Sequence, residues 1–177
     1  MLRPLLPVLI LLALLVSSAR AADPVPPHAP NPPGHQYAPE TFVPTRLPHL
    51  GDLDRLIAEF DLLDGEPVGV RRETFGPDAI PEWLVVSPER RCVQGACEYA
   101  LFDGVTAREI GRFYGTLLVL DHRHNGHAVI QTINRQDEQF SSLRTYKYNE
   151  RTYQIDDDVL INAAGRRAIE SSFPVRR

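Results

Sequence analysis

The chain has 177 residues, of which 43% are hydrophobic and 24% are charged, and its formal net charge is −4. This length fits one globular domain with appendages, and the acidic balance argues against a nucleic-acid-binding protein. Two cysteines are too few for a disulfide-dense scaffold, and after the N-terminal region no apolar run is long enough to span a bilayer.

Residues 1–21 have the three-part pattern of a secretory signal peptide. A basic start is followed by an apolar run over Leu5–Val16, and small residues at Ala19 and Ala21 place cleavage before Ala22. The run is shorter than the roughly 20 residues that a membrane anchor needs. The sequence therefore predicts export to the periplasm and no membrane association after cleavage.

Export changes the charge of the chain. Cleavage removes Arg3 and Arg20 from the 19 basic residues, so 17 remain against 23 acidic residues and the mature net charge is −6.

Residues 22–49 hold nine of the sixteen prolines and are predicted to form a spacer. Proline removes amide donors and favours the polyproline II conformation, so the segment would act as a semi-rigid tether. The alternative is a proline-rich ligand, but we do not expect the partner domains of such ligands outside the cytoplasm. Residues 50–177 are then the β-rich binding domain.

One amphipathic helix is predicted at the start of that domain, over Asp52–Leu63. Leu53, Leu56, Ile57 and Phe60 recur at helical spacing and form one apolar stripe.

After Gly65 the pattern changes to short strands rich in β-branched and aromatic residues. The dipeptide Asn125-Gly126 predicts a two-residue hairpin turn. The expected strands are Glu82–Ser87, Glu98–Phe102, Glu109–Tyr114, Leu117–Leu120, Ala128–Thr132, Leu143–Tyr148 and Thr152–Ile155. The predicted fold is mainly β and antiparallel, with one N-terminal amphipathic helix.

Cys92 and Cys97 enclose the four residues Val-Gln-Gly-Ala. In an oxidising compartment so close a pair is expected to form a small disulfide loop. The alternative is a thioredoxin-type redox pair, but that pair has two intervening residues and lies at a helix N-terminus.

A weak internal repeat has an offset of 45 residues. Ile80–Val86 and Asn125–Gln131 each run into an apolar strand, and each is followed by an aromatic strand and a further short strand. This period predicts a partial arrangement of propeller-blade-like hairpins, whereas chance similarity between hairpins is the alternative.

Four segments within residues 75–156 carry a family resemblance. In chain order they are Asp78–Val85, Cys92–Phe102, Leu118–Gly126 and Tyr146–Tyr153. Together they resemble small exported bacterial proteins with degenerate repeats of the FG-GAP type. Some proteins of this kind are periplasmic immunity proteins that bind and block peptidoglycan-cleaving effectors, lysozyme-like or amidase.

The sequence departs from that family at the calcium turn. Only Asp78 remains where the family presents several acidic side chains, and calcium needs 6–8 oxygen ligands. Asp156–Asp158 is a second acidic cluster, which we expect to form a solvated turn. No calcium site is predicted.

The polar loop Gln136–Ser142 is the first predicted partner-binding segment. Phe140 would enter a cleft of the partner while Gln139, Ser141 and Ser142 supply polar contacts, in the manner of an enzyme inhibitor. The alternative is that Phe140 folds back into the domain.

The predicted hairpin tip with His122, His124, Asn125 and His127 is the second partner-binding segment. Three converging imidazoles could also hold zinc or copper. The same residues suit an exposed polar tip, and we predict no metal and no cofactor.

No catalytic motif is present. The sequence has no nucleophile elbow, zinc-protease motif or phosphate-binding glycine loop, and Glu82 with Glu98 is a carboxylate pair of a kind that arises by accident. We therefore expect a non-enzymatic binding protein that inhibits a cell-wall hydrolase. The alternatives are an envelope accessory protein of structural role and an unrecognised hydrolase.

Overall fold

The computed structural model describes residues 34–45 and 67–176. Ten strands and one α-helix, here α1, are found there. The strands are β1 (Gly34–Tyr37), β2 (Val43–Thr45), β3 (Val68–Glu73), β4 (Glu82–Val86), β5 (Cys97–Phe102), β6 (Glu109–His124), β7 (His127–Arg135), β8 (Phe140–Tyr148), β9 (Tyr153–Asn162) and β10 (Val175–Arg176). Helix α1 spans Ala163–Ser172, and short 3-10 turns lie at Pro39–Thr41 and Glu89–Arg91.

The strands from β2 to β9 follow one another in sequence order as an antiparallel meander. The sheet is open, and its order ends at β2 on one side and β9 on the other. The prediction of a mainly antiparallel β fold is therefore confirmed. The predicted helix over Asp52–Leu63 and the signal peptide lie outside the described residues.

Strand β6 joins the two halves of the meander, which are β2–β5 and β7–β9. Its first part pairs with β5 as far as Gly115, and the following residues pair with β7 from Thr116 onward. Gly115 has φ of +129°, and a Cβ there would lie 2.5 Å from the carbonyl oxygen of Ile133. Only glycine adopts this conformation readily, so Gly115 allows one strand to serve two pairings.

One hydrophobic core joins the two halves. Its buried side chains include Leu84 and Tyr99 from the first half and Ile130 and Tyr146 from the second. Phe113 of β6 lies between them, with its ring centroid 5.0 Å from that of Tyr146 in an edge-to-face arrangement. Because both halves bury their apolar residues in one cluster, they share one core.

The opposite face of the second half is covered by the C-terminal segment. Leu118, Ile133 and Phe173 form a smaller buried cluster, to which Ile169 of α1 contributes. Asn162 caps the helix by accepting a hydrogen bond from the backbone N–H of Gly165 at 2.8 Å.

Part of the predicted spacer belongs to this fold. Strand β1 pairs with Leu117–Leu120 of β6 and with β10, and β2 pairs with β3. Tyr37 and Phe42 are buried in the main core. The domain therefore includes residues 34–45 and does not begin at Leu50.

Candidate functional site

The disulfide loop forms one wall of a surface cleft. Cys92 and Cys97 are bonded, which confirms the predicted pairing. Inside the loop Val93 and Ala96 exchange two backbone hydrogen bonds of 2.9 Å, and the turn between them has positive φ at Gln94 and Gly95. The loop is thus a tight hairpin that the disulfide closes at its base.

The β7–β8 turn forms the other wall. The carboxylate of Asp137 accepts hydrogen bonds from the backbone N–H groups of Gln139 and Phe140, both at 2.7 Å. The carbonyl of Phe140 accepts from the N–H groups of Gln136 and Asp137. These bonds hold the turn in one conformation, since an aspartate side chain that caps its own turn replaces a backbone partner.

Between the two walls lies a cleft of about 470 Å³, here called the disulfide-loop cleft. The guanidinium of Arg135 donates to the side-chain oxygen of Gln94 at 3.1 Å and so links the walls. The lining residues come from three parts of the chain and are Val93, Gln94, Ala96, Tyr114, Asn134, Arg135, Gln136, Asp137 and Glu138.

The cleft offers apolar surface with charges around it. Val93 and Tyr114 are exposed in the lining, and Phe140 at the end of the β7–β8 turn is 38% exposed. Arg135 and Glu138 are also exposed. Exposed aromatic groups with a polar surround are typical of protein–protein interfaces.

The structure divides the residues of the first predicted partner-binding segment. Gln139 and Phe140 lie at the surface beside the cleft, as an interface requires. Ser141 and Ser142 belong to β8 and are buried. The prediction that both serines lie in a loop is wrong, because the loop ends at Gln139.

Both serines make contacts within the fold. The hydroxyl of Ser141 accepts a hydrogen bond from the guanidinium of Arg166 at 3.0 Å, which joins α1 to the sheet. The hydroxyl of Ser142 donates to the carboxylate of Asp158 on β9. That bond, together with the nearby guanidinium of Arg144, holds the pKa of Asp158 below its ordinary value.

The second predicted segment lies at the other end of β7. Asn125 and Gly126 have φ of 50° and 79°, which confirms the predicted two-residue hairpin turn between β6 and β7. Since β7 has nine residues, roughly 30 Å separates this tip from the disulfide-loop cleft. The two predicted segments therefore form two separate surfaces.

The hairpin tip rests on residues 75–77 of the chain. The guanidinium of Arg123 donates to the carbonyls of Phe75, Gly76 and Gly126 at 2.7–3.0 Å. Glu82 is buried and its carboxylate accepts from the N–H groups of Phe75 and Gly76. The tip is fixed by these bonds.

The histidines of the tip have different environments. The ring of His127 stacks on that of Tyr148 at 3.7 Å, whereas His122 and His124 are exposed. A register shift between Val119 and Arg123 interrupts the strand pairing at His122. Within residues 34–45 and 67–176, no group of three His, Cys, Asp or Glu side chains gathers as a metal site.

The acidic residues singled out in the sequence have structural partners. Glu98 pairs with Arg112 at 2.7 Å, and Asp78 accepts from the N–H of Ile80. Asp156–Asp158 lie in β9 and not in a turn, so that prediction is wrong. Asp156 pairs with Lys147, and Asp158 pairs with Arg144.

Most residues that line the disulfide-loop cleft were not predicted from the sequence; only those of the β7–β8 loop were. Tyr114 lies in a strand whose pattern predicts only sheet formation, and Gln94 lies about 40 positions before its partner Arg135. The one available signal was the turn chemistry of Gln94-Gly95 inside the cysteine pair.

No helix among the described residues is long and apolar enough to cross a membrane. Comparison with protein-family models, with curated proteins and with solved structures finds no match for this chain.

Proposed function

We propose that this chain is an exported periplasmic binding protein that blocks a peptidoglycan-degrading effector, either lysozyme-like or an amidase. It would act as an immunity protein and carry out no chemistry itself. The observation that carries the proposal is the disulfide-loop cleft, because both of its walls are held by covalent or hydrogen bonds within the chain.

Rigid walls favour tight binding. A surface that is already ordered loses little conformational entropy when a partner docks, which is how many protein inhibitors gain affinity. Phe140 and Tyr114 supply aromatic contact area, and Arg135 beside them supplies polar contacts.

The charge of the mature chain supports a basic partner. A net charge of −6 after loss of residues 1–21 would attract enzymes that carry positive charge for work on an anionic cell wall. Such attraction mainly accelerates association, so it should weaken as the salt concentration rises.

The Cys92–Cys97 disulfide supports an oxidising compartment, since structural disulfides are rare in the cytosol. A periplasmic location also agrees with the leader-like residues 1–21.

The strand order supports the proposed blade-like repeat. The two repeated segments fall on β4 and β7, and each opens a three-stranded antiparallel meander, β4–β6 and β7–β9. We propose that these meanders are related blade-like units of the FG-GAP type.

The test is an inhibition assay with purified mature protein. A panel of basic lysozyme-like and amidase enzymes digests purified peptidoglycan with and without the protein, and an adjacent small hydrolase gene supplies the first candidate. We expect stoichiometric inhibition of one enzyme. Replacing Phe140 by alanine should weaken that inhibition about tenfold or more.

Val105→Ala is the matched control, because Val105 is an exposed apolar residue in the turn between β5 and β6. In a second experiment, the hydrolase encoded by the adjacent gene is expressed in the periplasm with and without this protein. Equal lysis of the two cultures would refute the proposal and favour an envelope accessory role. Release of wall fragments by the purified chain alone would also refute it.

A further inference from the structure

Strand β9 ends the order of the sheet. Among the described residues it pairs with β8 and with no other strand. Along its ten residues the backbone groups that point away from β8 therefore have no strand partner in the described part of the chain. Natural proteins shorten, cover, charge or bulge such an edge, since it is a template for another strand. β9 has a register shift at Asp156 and remains regularly paired with β8 from Asp157 to Asn162.

The edge also carries exposed apolar side chains. All residues from Gln154 to Leu160 are exposed, and Ile155, Val159 and Leu160 are among them, with Leu160 66% exposed. Because neighbouring strand residues point to opposite faces, Val159 and Leu160 place apolar surface on both sides of the sheet. A strand added beside β9 would cover both.

The charges on β9 determine which kind of strand could pair with its open edge. A second copy paired antiparallel with β9 over its full length would place Asp157 opposite Asp158 of the other copy, twice. Like charges directly opposite each other destabilise a strand pair, so self-pairing is disfavoured. Asp156 and Asp158 already pair with Lys147 and Arg144 of β8, whereas Asp157 has no salt bridge among the described residues. A basic segment instead brings opposite charge to Asp157.

We infer that the open edge of β9 binds an extended segment of a basic protein partner by strand addition, with alternating apolar and basic residues. Backbone hydrogen bonds would give affinity, and the apolar and acidic side chains of β9 would give specificity. The inference rests on the proposed function in one respect: the segment belongs to the same basic partner that the disulfide-loop cleft receives.

The test uses a blocked eight-residue peptide of alternating valine and lysine, with an alternating valine–glutamate peptide as the control. Binding to the mature protein is followed by titration and by hydrogen exchange at the amides of β9. We expect the basic peptide alone to bind and to slow exchange at outward-facing amides of β9. Its binding should weaken at high salt.

Leu160→Lys should weaken peptide binding about tenfold, because it removes apolar contact area and adds a like charge. Val105→Lys is the matched control and should have no effect, since Val105 is 69% exposed and lies in a different turn. Equal binding of both peptides, or protection confined to residues outside β9, would overturn the inference.

The two proposals fail in different ways. Hydrolase inhibition that persists in Leu160→Lys, with no binding of the basic peptide to the wild-type protein, refutes strand addition and leaves the proposed function standing. Peptide binding at β9 without inhibition of any hydrolase refutes the proposed function alone.

Discussion

Removal of the disulfide tests the rigid wall of the cleft. The double variant Cys92→Ala/Cys97→Ala deletes the bond and leaves the rest of the loop unchanged. Cys97 is fully buried in the main core and Cys92 is packed against it. Alanine is preferable to serine because a serine hydroxyl at position 97 would be buried without an assured partner.

The expected loss of stability has two parts. The bond closes a loop of about six residues, for which the chain-entropy relation gives about 2 kcal/mol at 25 °C. Truncation of the buried Cys97 side chain adds about 1 kcal/mol. The double variant should therefore lose about 3 kcal/mol, which lowers Tm by roughly 12 °C in a domain of this size.

Urea denaturation followed by circular dichroism measures the loss. Reduced wild-type protein is the control: it keeps both sulfur atoms, so it should lose only the loop-closure part of about 2 kcal/mol. If both forms lost less than about 0.5 kcal/mol, the bond would not restrict the unfolded chain as the relation requires, and the reasoning would be refuted.

Three further predictions concern the described fold. Glu82→Ala leaves the buried N–H groups of Phe75 and Gly76 without an acceptor and should cost about 2–4 kcal/mol in urea denaturation. An unchanged urea midpoint would contradict the role of Glu82 as acceptor for these two N–H groups. Gly115→Ala should cost about 2–4 kcal/mol, because its Cβ would meet a backbone carbonyl and its φ is positive. The control Gly95→Ala also has a positive φ, but its Cβ meets nothing within 4 Å, so it should cost only about 1 kcal/mol. Equal losses would show that the positive φ alone sets the cost and that the contact at Gly115 adds nothing. For Asp103, hydrogen bonds from the side chain and backbone of Thr106 hold the carboxyl pKa below its ordinary value. The stability that these bonds contribute is therefore fully present above the unfolded pKa of about 4, and it is lost as the pH falls through the folded pKa. Asp103→Asn should thus cost about 0.5 kcal/mol at pH 7, because the group is largely solvated, and its stability should approach that of the wild type in denaturation at acidic pH; a gap that widens on acidification would reverse the sign.

Local signals predicted the parts of the fold that depend on neighbouring residues. The Asn125-Gly126 turn requires two positive φ angles, and the sequence supplies two residues that tolerate them. The Cys92–Cys97 bond likewise joins near neighbours in the chain. Such features do not need a distant partner to be recognised.

Features that depend on distant partners could not be predicted from local pattern. Tyr37 and Phe42 lie among prolines, and only their pairing and packing with remote strands brings them into the core. Asp158 is acidic but lies in a strand, where it pairs with Arg144 of β8. Ser141 is buried because Arg166 reaches it from α1.

The candidate site shows the same limit. Gln139 and Phe140 were found because polar turn residues surround an aromatic side chain. Tyr114 and Gln94 were not, because the cleft exists only once the disulfide loop has come to lie beside the β7–β8 turn.

The position of β1 has a consequence for the order in which this molecule can mature. β1 lies between β6 and β10, and its parallel partner β10 is separated from it by nearly all of the described chain. Contacts between residues so far apart close late, because a long loop must first be ordered. A ribosome that still holds Val175 would thus delay the pairing of β1 with β10, and a bulky fusion placed after β10 would slow the same step.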